Sequence, residues 1–115
     1  MNEIKTITGK ILKNELRDMS KTLFGDLVKA VVDVSKRIIA VNGELHADEE
    51  RVLLEDGSRQ EDLWGINLYP EKEGDDWIEF DSMINIRPSQ GNRSRSVENL
   101  EIQSLIRDIV KERTE

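Results

Sequence analysis

Glu44, His46 and Asp48 are the first of three groups of side chains whose types and spacing could support chemistry. They stand at positions i, i+2 and i+4, so an extended segment would point all three to the same side. One imidazole with two carboxylates is a ligand set acceptable to zinc, manganese or iron. His46 is also the only histidine, so a general base at neutral pH would be this residue. The structural alternative is that Asp48 caps a helix while Glu44 is solvated.

The second group is the arginine segment, residues 87–95, with the sequence RPSQGNRSR. The guanidinium groups of Arg87, Arg93 and Arg95, with the serine hydroxyls, are donors suited to phosphate or carboxylate. A helix expected directly after the segment would add backbone N–H groups. No Walker or dinucleotide-binding motif is present. The competing interpretation is that Arg87 pairs with carboxylates of the preceding strand and that the remainder is an ordinary exposed loop.

The third group is the polar face of a predicted β-hairpin. Alternating apolar and polar residues predict strands at 64–69 and 77–88. Glu79 and Asp81 would be neighbours on one face, about 6 to 7 Å apart, where paired carboxylates share acid/base work. The alternative is a face that meets solvent or a partner. The candidate ligand-binding residues of this face are Asn67, Tyr69, Trp77, Glu79, Asp81 and Asn85. The apolar face of the second strand would hold Ile78, Phe80, Ile84 and Ile86.

Three helices are predicted to position these groups, because apolar residues recur at helical spacing. The first covers about residues 9–24, with Thr8 as its N-cap and Gly25 just past its end. The second is a short helix of about nine residues, with Asp48 as its N-cap. The third, residues 98–112, has the clearest amphipathic pattern in the chain.

Two β-branched runs, residues 27–34 and 37–42, predict a second hairpin around Ser35 and Lys36. Both faces of this hairpin are mainly apolar. It is therefore expected to be covered on two sides, or covered on one side and paired with a second subunit, which predicts a homodimer. A short edge strand near residues 2–7 completes the pattern. The predicted fold is one α+β domain in which two hairpins form an antiparallel or mixed sheet, with three helices mainly on one face.

Composition limits the classes of function. The net charge of −7 disfavours nucleic-acid binding except through the local arginine segment. The absence of cysteine excludes disulfides and thiolate metal sites, and one histidine is too few for a structural zinc site, so no bound metal or cofactor is expected. No run approaches the roughly 18 apolar residues of a membrane span, and the N-terminus has no long apolar region. We expect a cytoplasmic protein with no membrane partner.

Four segments carry a resemblance to a known family: GELHAD at 43–48, QEDLWGINLYP at 60–70, IEFDSMINIRP at 78–88 and NRSR at 92–95. They resemble a family of small uncharacterised prokaryotic proteins, a domain of unknown function of about this length. The resemblance covers nearly the whole chain. It implies no assigned activity.

Two hypotheses of function follow. The first is a cytosolic module that binds an anionic ligand or a protein partner through the arginine segment and the adjoining sheet face. The alternative is a small hydrolase or transferase that uses His46 with Glu44, Asp48 or Glu79, while the arginines hold the substrate. An enzyme would bring His46, an arginine and a carboxylate to one pocket, within about 8 Å, whereas a binding module need not.

Overall fold

A five-stranded antiparallel sheet in the order β1-β3-β2-β4-β5 organises the fold. The computed structural model describes residues 3–115. Its strands are β1 (Lys5–Ile7), β2 (Val28–Asp33), β3 (Ile38–Val41), β4 (Leu63–Leu68) and β5 (Ile78–Glu79). Its α-helices are α1 (Lys13–Leu23), α2 (His46–Glu55) and α3 (Leu100–Arg113). The predicted α+β fold, with two hairpins and three helices, is confirmed.

Helices cover both faces of the sheet. Apolar side chains of α1 and α3, such as Leu16 and Ile106, share the larger core with Val32 of β2. Val31, the preceding residue of β2, points to the opposite face and packs with Leu53 of α2. The two apolar faces of the β2-β3 hairpin are therefore covered within one chain. The homodimer stays a prediction, but the apolar faces of this hairpin no longer provide a reason for it. Among residues 3–115, no helix is long and apolar enough to cross a membrane.

Some helix ends lie where they were predicted, and others do not. Gly25 follows α1 with a positive φ of 91°, and its N–H donates to the carbonyl of Ser20 as expected of a C-terminal glycine. The first helix begins at Lys13, however, and its N-cap residue, Leu12, makes no side-chain capping bond. The second begins at His46, so the prediction of a later start is wrong. The third is capped by the Asn99 side chain, which accepts from two backbone N–H groups of the first turn.

The hairpin of β4 and β5 is much shorter than predicted. Asn67 pairs with Glu79 as expected, but β5 ends there, and the chain continues in short 3-10 turns at Met83–Asn85 and Pro88–Gln90. Phe80 packs against the larger core, whereas Ile84 packs against the smaller core on the other face of the sheet. The prediction of one strand with a single apolar face up to residue 88 is therefore wrong.

A side-chain amide takes the place of the missing strand. Asn85 is fully buried, and its Oδ1 accepts from Gly65 N at 2.8 Å while its Nδ2 donates to Gly65 O at 2.9 Å. One amide thus satisfies both backbone groups of a residue in β4. The close approach requires glycine, since a Cβ at position 65 would lie 2.5 Å from the Cβ of Ser82.

A second buried amide holds the arginine segment. Asn92 donates to the carbonyls of Asn85 at 2.7 Å, Ser94 at 3.2 Å and Ser96 at 2.7 Å. Its Oδ1 accepts from the backbone N–H of Glu98 at 2.8 Å. The segment between β5 and α3 is therefore an ordered structure built around two asparagines.

We predict that Asn85→Ala lowers the free energy of unfolding by about 3 kcal/mol, because it leaves the buried N–H and C=O of Gly65 without partners. Urea denaturation followed by circular dichroism measures this. The exposed Asn14 of α1 provides the control, and Asn14→Ala is expected to change stability little. Equal stability of the two variants would contradict the assigned role of Asn85.

Candidate functional site

Four of the predicted site residues meet at one cavity of about 340 Å³, which we call the His46 pocket. The pocket lies between the start of α2, strands β2 and β4, and residues 81–84. Its polar lining consists of Lys29, His46, Asn67, Asp81, Ser82 and Arg95. Its apolar lining consists of Phe24, Leu27, Leu45, Ala47, Met83 and Ile84. Phe24, Leu45 and Met83 are exposed, so the apolar rim meets solvent.

His46 occupies the buried part of the pocket in a defined tautomer. Its Nε2 lies 2.8 Å from the carbonyl oxygen of Ile66. A carbonyl only accepts, so Nε2 carries the proton and Nδ1 of the neutral ring has none. Burial lowers the pKa of His46 below its ordinary value, and the nearby ammonium of Lys29 lowers it further. Hydrogen bonds with Ile66 and Asn67 oppose this shift, since both favour the protonated ring. The imidazole is therefore neutral at pH 7.

Asn67 presents an unused acceptor. Its Nδ2 donates to Glu79 Oε1 at 2.9 Å and to the carbonyl of Asp81 at 3.3 Å, which fixes the orientation of the amide. The Oδ1 atom is buried and has no hydrogen-bond partner among the described residues. Such an atom is uncommon in folded proteins, where buried polar groups are nearly always paired. The nearby donor is the ring of His46: a hydrogen bond with the Asn67 side chain favours the protonated imidazole, so Oδ1 lacks a partner while the ring is neutral.

The carboxylate of Glu79 links the Asn67 amide to the hydroxyl of Tyr69. The hydroxyl of Tyr69 donates to Glu79 Oε1 at 3.0 Å. Burial, together with the Glu79 hydrogen bond, raises the pKa of Tyr69 to about 12. Glu79 therefore accepts from both Tyr69 and Asn67 and orients the latter toward the pocket.

Two cations line the pocket, and only one of them is paired with a carboxylate of the described residues. Arg95 is exposed, and its Nε donates to Asp81 Oδ1 at 2.5 Å. This ion pair engages the Nε edge of the guanidinium. The Nζ of Lys29 lies 4.9 Å from the ring centroid of Phe24 and has no carboxylate partner within residues 3–115. The pocket thus contains one free ammonium and one partly engaged guanidinium.

Glu44, His46 and Asp48 were expected to share one side only if their segment were extended, and the structure shows that it is not. Because α2 begins at His46, Asp48 lies two residues along a helix from the imidazole, and residues at that spacing do not face each other. Glu44 is exposed before the helix begins. No three His, Asp or Glu side chains in the described part of the chain are placed to hold a metal ion.

The three arginines of the arginine segment do not form one cradle. Arg87 donates to the carbonyls of Ile84 at 3.1 Å, Gln60 at 2.6 Å and Leu63, and its guanidinium lies 4.3 Å from the ring centroid of Trp64. The alternative in which Arg87 pairs with carboxylates of the preceding strand is therefore wrong.

Arg93 is exposed and, unlike Arg95, does not line the pocket. The carboxylate of Glu98 accepts from the backbone N–H groups of Arg93 and Ser94 at 2.9 and 2.8 Å. A local acid thus already occupies these backbone donors. Anion binding by Arg93 stays a prediction.

Asn85 and Trp77 are among the predicted ligand-binding residues that do not line the pocket. Asn85 is committed to Gly65, and Trp77 is buried in the larger core, with Lys13 Nζ 4.5 Å from its ring centroid. Sequence reasoning in turn missed Lys29, which lines the pocket. Its signal was available, because it is the only basic residue in the mainly apolar run of residues 27–34.

Comparison with known proteins places the chain in a family. The family model described as "Protein of unknown function (DUF5674)" matches residues 5–113. The chain belongs to this family. The expected membership in a family of unknown function over nearly the whole chain is thereby confirmed. No curated protein and no solved structure matches.

A buried acid lies next to the pocket, in α2. Glu49 is fully buried, its Oε2 accepts from Gly43 N at 3.0 Å, and its Oε1 has no partner in the described part of the chain. Burial raises the pKa of Glu49 well above its ordinary value, although the Gly43 bond and Lys29 oppose the shift. The folded protein therefore favours the protonated acid.

For Arg87, we predict that replacement by Lys lowers the free energy of unfolding by about 2 kcal/mol, because one ammonium cannot reach several carbonyls in the planar arrangement of a guanidinium. Arg93→Lys is the control, since Arg93 is exposed. Thermal denaturation of both variants measures the difference. A melting temperature for Arg87→Lys equal to that of the control would show that the carbonyl contacts contribute little.

The raised pKa of Glu49 predicts a pH dependence of stability. Its contribution is fully present below the unfolded pKa of about 4.5 and is lost as pH rises through the folded pKa. The lowered pKa of His46 acts in the opposite direction: its contribution is present above about 6.5 and is lost as pH falls through the folded pKa.

The variant Glu49→Gln separates the contribution of Glu49 to the pH dependence of stability from that of His46. The variant is expected to be more stable than the unmodified protein at pH 8 and to lose the fall in stability above pH 4.5, because glutamine does not ionise. Each unit of pKa shift removed corresponds to about 1.4 kcal/mol. Urea denaturation from pH 4 to pH 8 measures this, with the exposed Glu55→Gln in the same helix as the control. A Glu49→Gln variant with an unchanged pH profile would refute a raised pKa at this position.

Proposed function

We propose that the protein is a ligand-binding module whose site is the His46 pocket. The ligand is a small organic molecule with an anionic group and an apolar portion. The observation that carries this proposal is the unpaired ammonium of Lys29, which lines the same pocket as the exposed guanidinium of Arg95. In a chain with a net charge of −7, carboxylates are abundant, and a free cation beside a pocket is available to an anion.

The other lining groups support an organic ligand rather than a bare ion. Leu45 and Met83 expose apolar surface at the rim, and a cavity of about 340 Å³ is within the size range of small-molecule sites. His46 and Asn67 supply polar surface in the buried part of the pocket. The proposal therefore describes two complementary contacts: the anionic group with the cations, and the apolar portion with the rim.

Binding is tested with hexanoate, phenylacetate and leucine as probes, each of which has a carboxylate and an apolar portion. Titration of ¹⁵N-labelled protein is expected to shift the backbone amides around His46, Asn67 and Arg95. Lys29→Gln and Arg95→Gln are each expected to weaken the best probe about tenfold or more, the magnitude of a lost charge-assisted hydrogen bond. Arg93→Gln is a matched control, because it removes a neighbouring arginine that does not line the pocket.

Equal affinity in Lys29→Gln, Arg95→Gln and the control would contradict the proposal. So would amide shifts confined to other parts of the molecule. Native mass spectrometry of the freshly purified protein provides a second measurement, because a ligand retained from expression adds a mass that Arg95→Gln is expected to lose.

A second candidate function is a small hydrolase or transferase, favoured by the position of His46. Its imidazole lines the same pocket as Asp81 and Arg95, and the tautomer fixed by Ile66 leaves Nδ1 able to accept a proton. In this role His46 takes a proton from a water or hydroxyl while Arg95 holds an anionic substrate.

Catalysis is tested by release of nitrophenolate from p-nitrophenyl acetate and p-nitrophenyl phosphate. An enzyme that uses His46 loses this activity in His46→Gln and keeps it in Arg93→Gln. Absence of turnover by the unmodified protein, or turnover that His46→Gln does not reduce, leaves the binding module as the function. An ¹H–¹⁵N spectrum of His46→Gln checks that the variant is folded.

A further inference from the structure

A second cavity, of about 600 Å³, lies between α3, the start of α1 and the turn before β5. It shares no lining residue with the His46 pocket. Its wall carries Lys13, Arg107 and Lys111, with Trp77 and Ile78 as apolar surface. The cavity is large enough for a small organic molecule.

The cations come from two helices. Arg107 and Lys111 are four residues apart on α3, so their side chains lie on the same face one turn apart. Lys13 reaches the cavity from the first residue of α1, with its Nζ 4.5 Å from the ring centroid of Trp77. Three positive groups therefore converge from separate elements on one cavity.

None of these cations is neutralised by a carboxylate of residues 3–115 at ion-pair distance. Glu112, the neighbour of Lys111, instead pairs with Arg37 at 2.8 Å. The guanidinium of Arg107 lies 5.0 Å from the ring centroid of Phe80, and its Nε is buried without an acceptor. Because this Nε is buried, a ligand in the cavity must be held by the terminal nitrogens of the guanidinium of Arg107, which lines the cavity and is partly exposed.

Asp75, Asp108 and Glu115 also line the cavity and leave its total charge near zero. An anion is therefore not drawn in by long-range attraction, and it must bind through direct contacts with the cations. A phosphate group suits such contacts, because its several oxygens accept from more than one cation at once. An attached organic portion would pack against Trp77 and Ile78.

We propose that this cavity binds a phosphorylated small molecule, with its phosphate oxygens on Arg107 and Lys111 of α3 and on Lys13 of α1. Asp108 opposes the phosphate and limits the affinity. The site is independent of the function assigned to the His46 pocket.

Pyrophosphate is the probe, because it presents several phosphate oxygens without an organic portion. Titration of ¹⁵N-labelled protein at millimolar concentrations is expected to shift the indole N–H of Trp77 and the amides of residues 107–111. Lys111→Gln, at an exposed position, and Arg107→Gln are each expected to weaken binding at least tenfold. Lys21→Gln, an exposed lysine of α1 outside the cavity, is expected to leave it unchanged.

Asp108→Asn is expected to have the opposite effect to the lysine and arginine variants. Loss of its carboxylate should tighten pyrophosphate binding severalfold. A purely structural role of this cluster would not give that gain. The proposal is overturned by an absence of shifts at the cavity, by unchanged affinity in Lys111→Gln, or by equal weakening in Lys21→Gln, which indicates non-specific attraction. If Arg107→Gln fails to fold, Lys111→Gln and Asp108→Asn still decide the result.

Discussion

The pairing of the Asn85 amide with the backbone of Gly65 is the constraint on which the rest of this structure depends. A strand buried in a sheet must have both its N–H and its C=O groups paired. Here a side chain does so for one residue of β4, and the main chain after Glu79 is free to leave the sheet. It crosses to the face covered by α2, where residues 81–84 form a wall of the His46 pocket.

The side-chain amide of Asn85 also positions Arg95, one of the two cations that line the pocket. Asn85 Nδ2 also donates to the carbonyl of Arg95 at 2.9 Å, and the N–H of Ser82 donates to that carbonyl at 3.0 Å. The backbone of Arg95 is therefore tied to the residues that follow Asp81, and its side chain is brought to the carboxylate of Asp81. Scaffold and candidate site are thus coupled through backbone hydrogen bonds rather than through the charges of the arginine segment.

Local sequence patterns were sufficient to predict the strands and the helix whose apolar residues repeat regularly. The β-branched runs of β2 and β3 and the amphipathic repeat of α3 lie close to the predicted ranges. The starts of α1 and α2 were missed because Leu12 and Leu45 provide no side-chain cap to recognise. The strand predicted to residue 88 failed because alternation does not reveal that Ile84 packs on the other face of the sheet.

The candidate site was predicted only in pieces. His46, Asn67, Asp81 and Arg95 were each identified from residue type, but in three separate groups along the sequence. Their meeting depends on hydrogen bonds between residues far apart in the chain, such as Asn85 with Gly65, which no local spacing encodes. The proton position on His46 depends in the same way on a carbonyl of β4.

The short outer strands have a consequence for self-association. The sheet is bounded on one side by β1, with three residues, and on the other by β5, with two. Short edges expose few unpaired backbone groups and give another chain little to extend. A second copy of the protein would therefore gain few backbone hydrogen bonds by pairing with either edge, which disfavours the continuous sheet growth from which β-aggregates form.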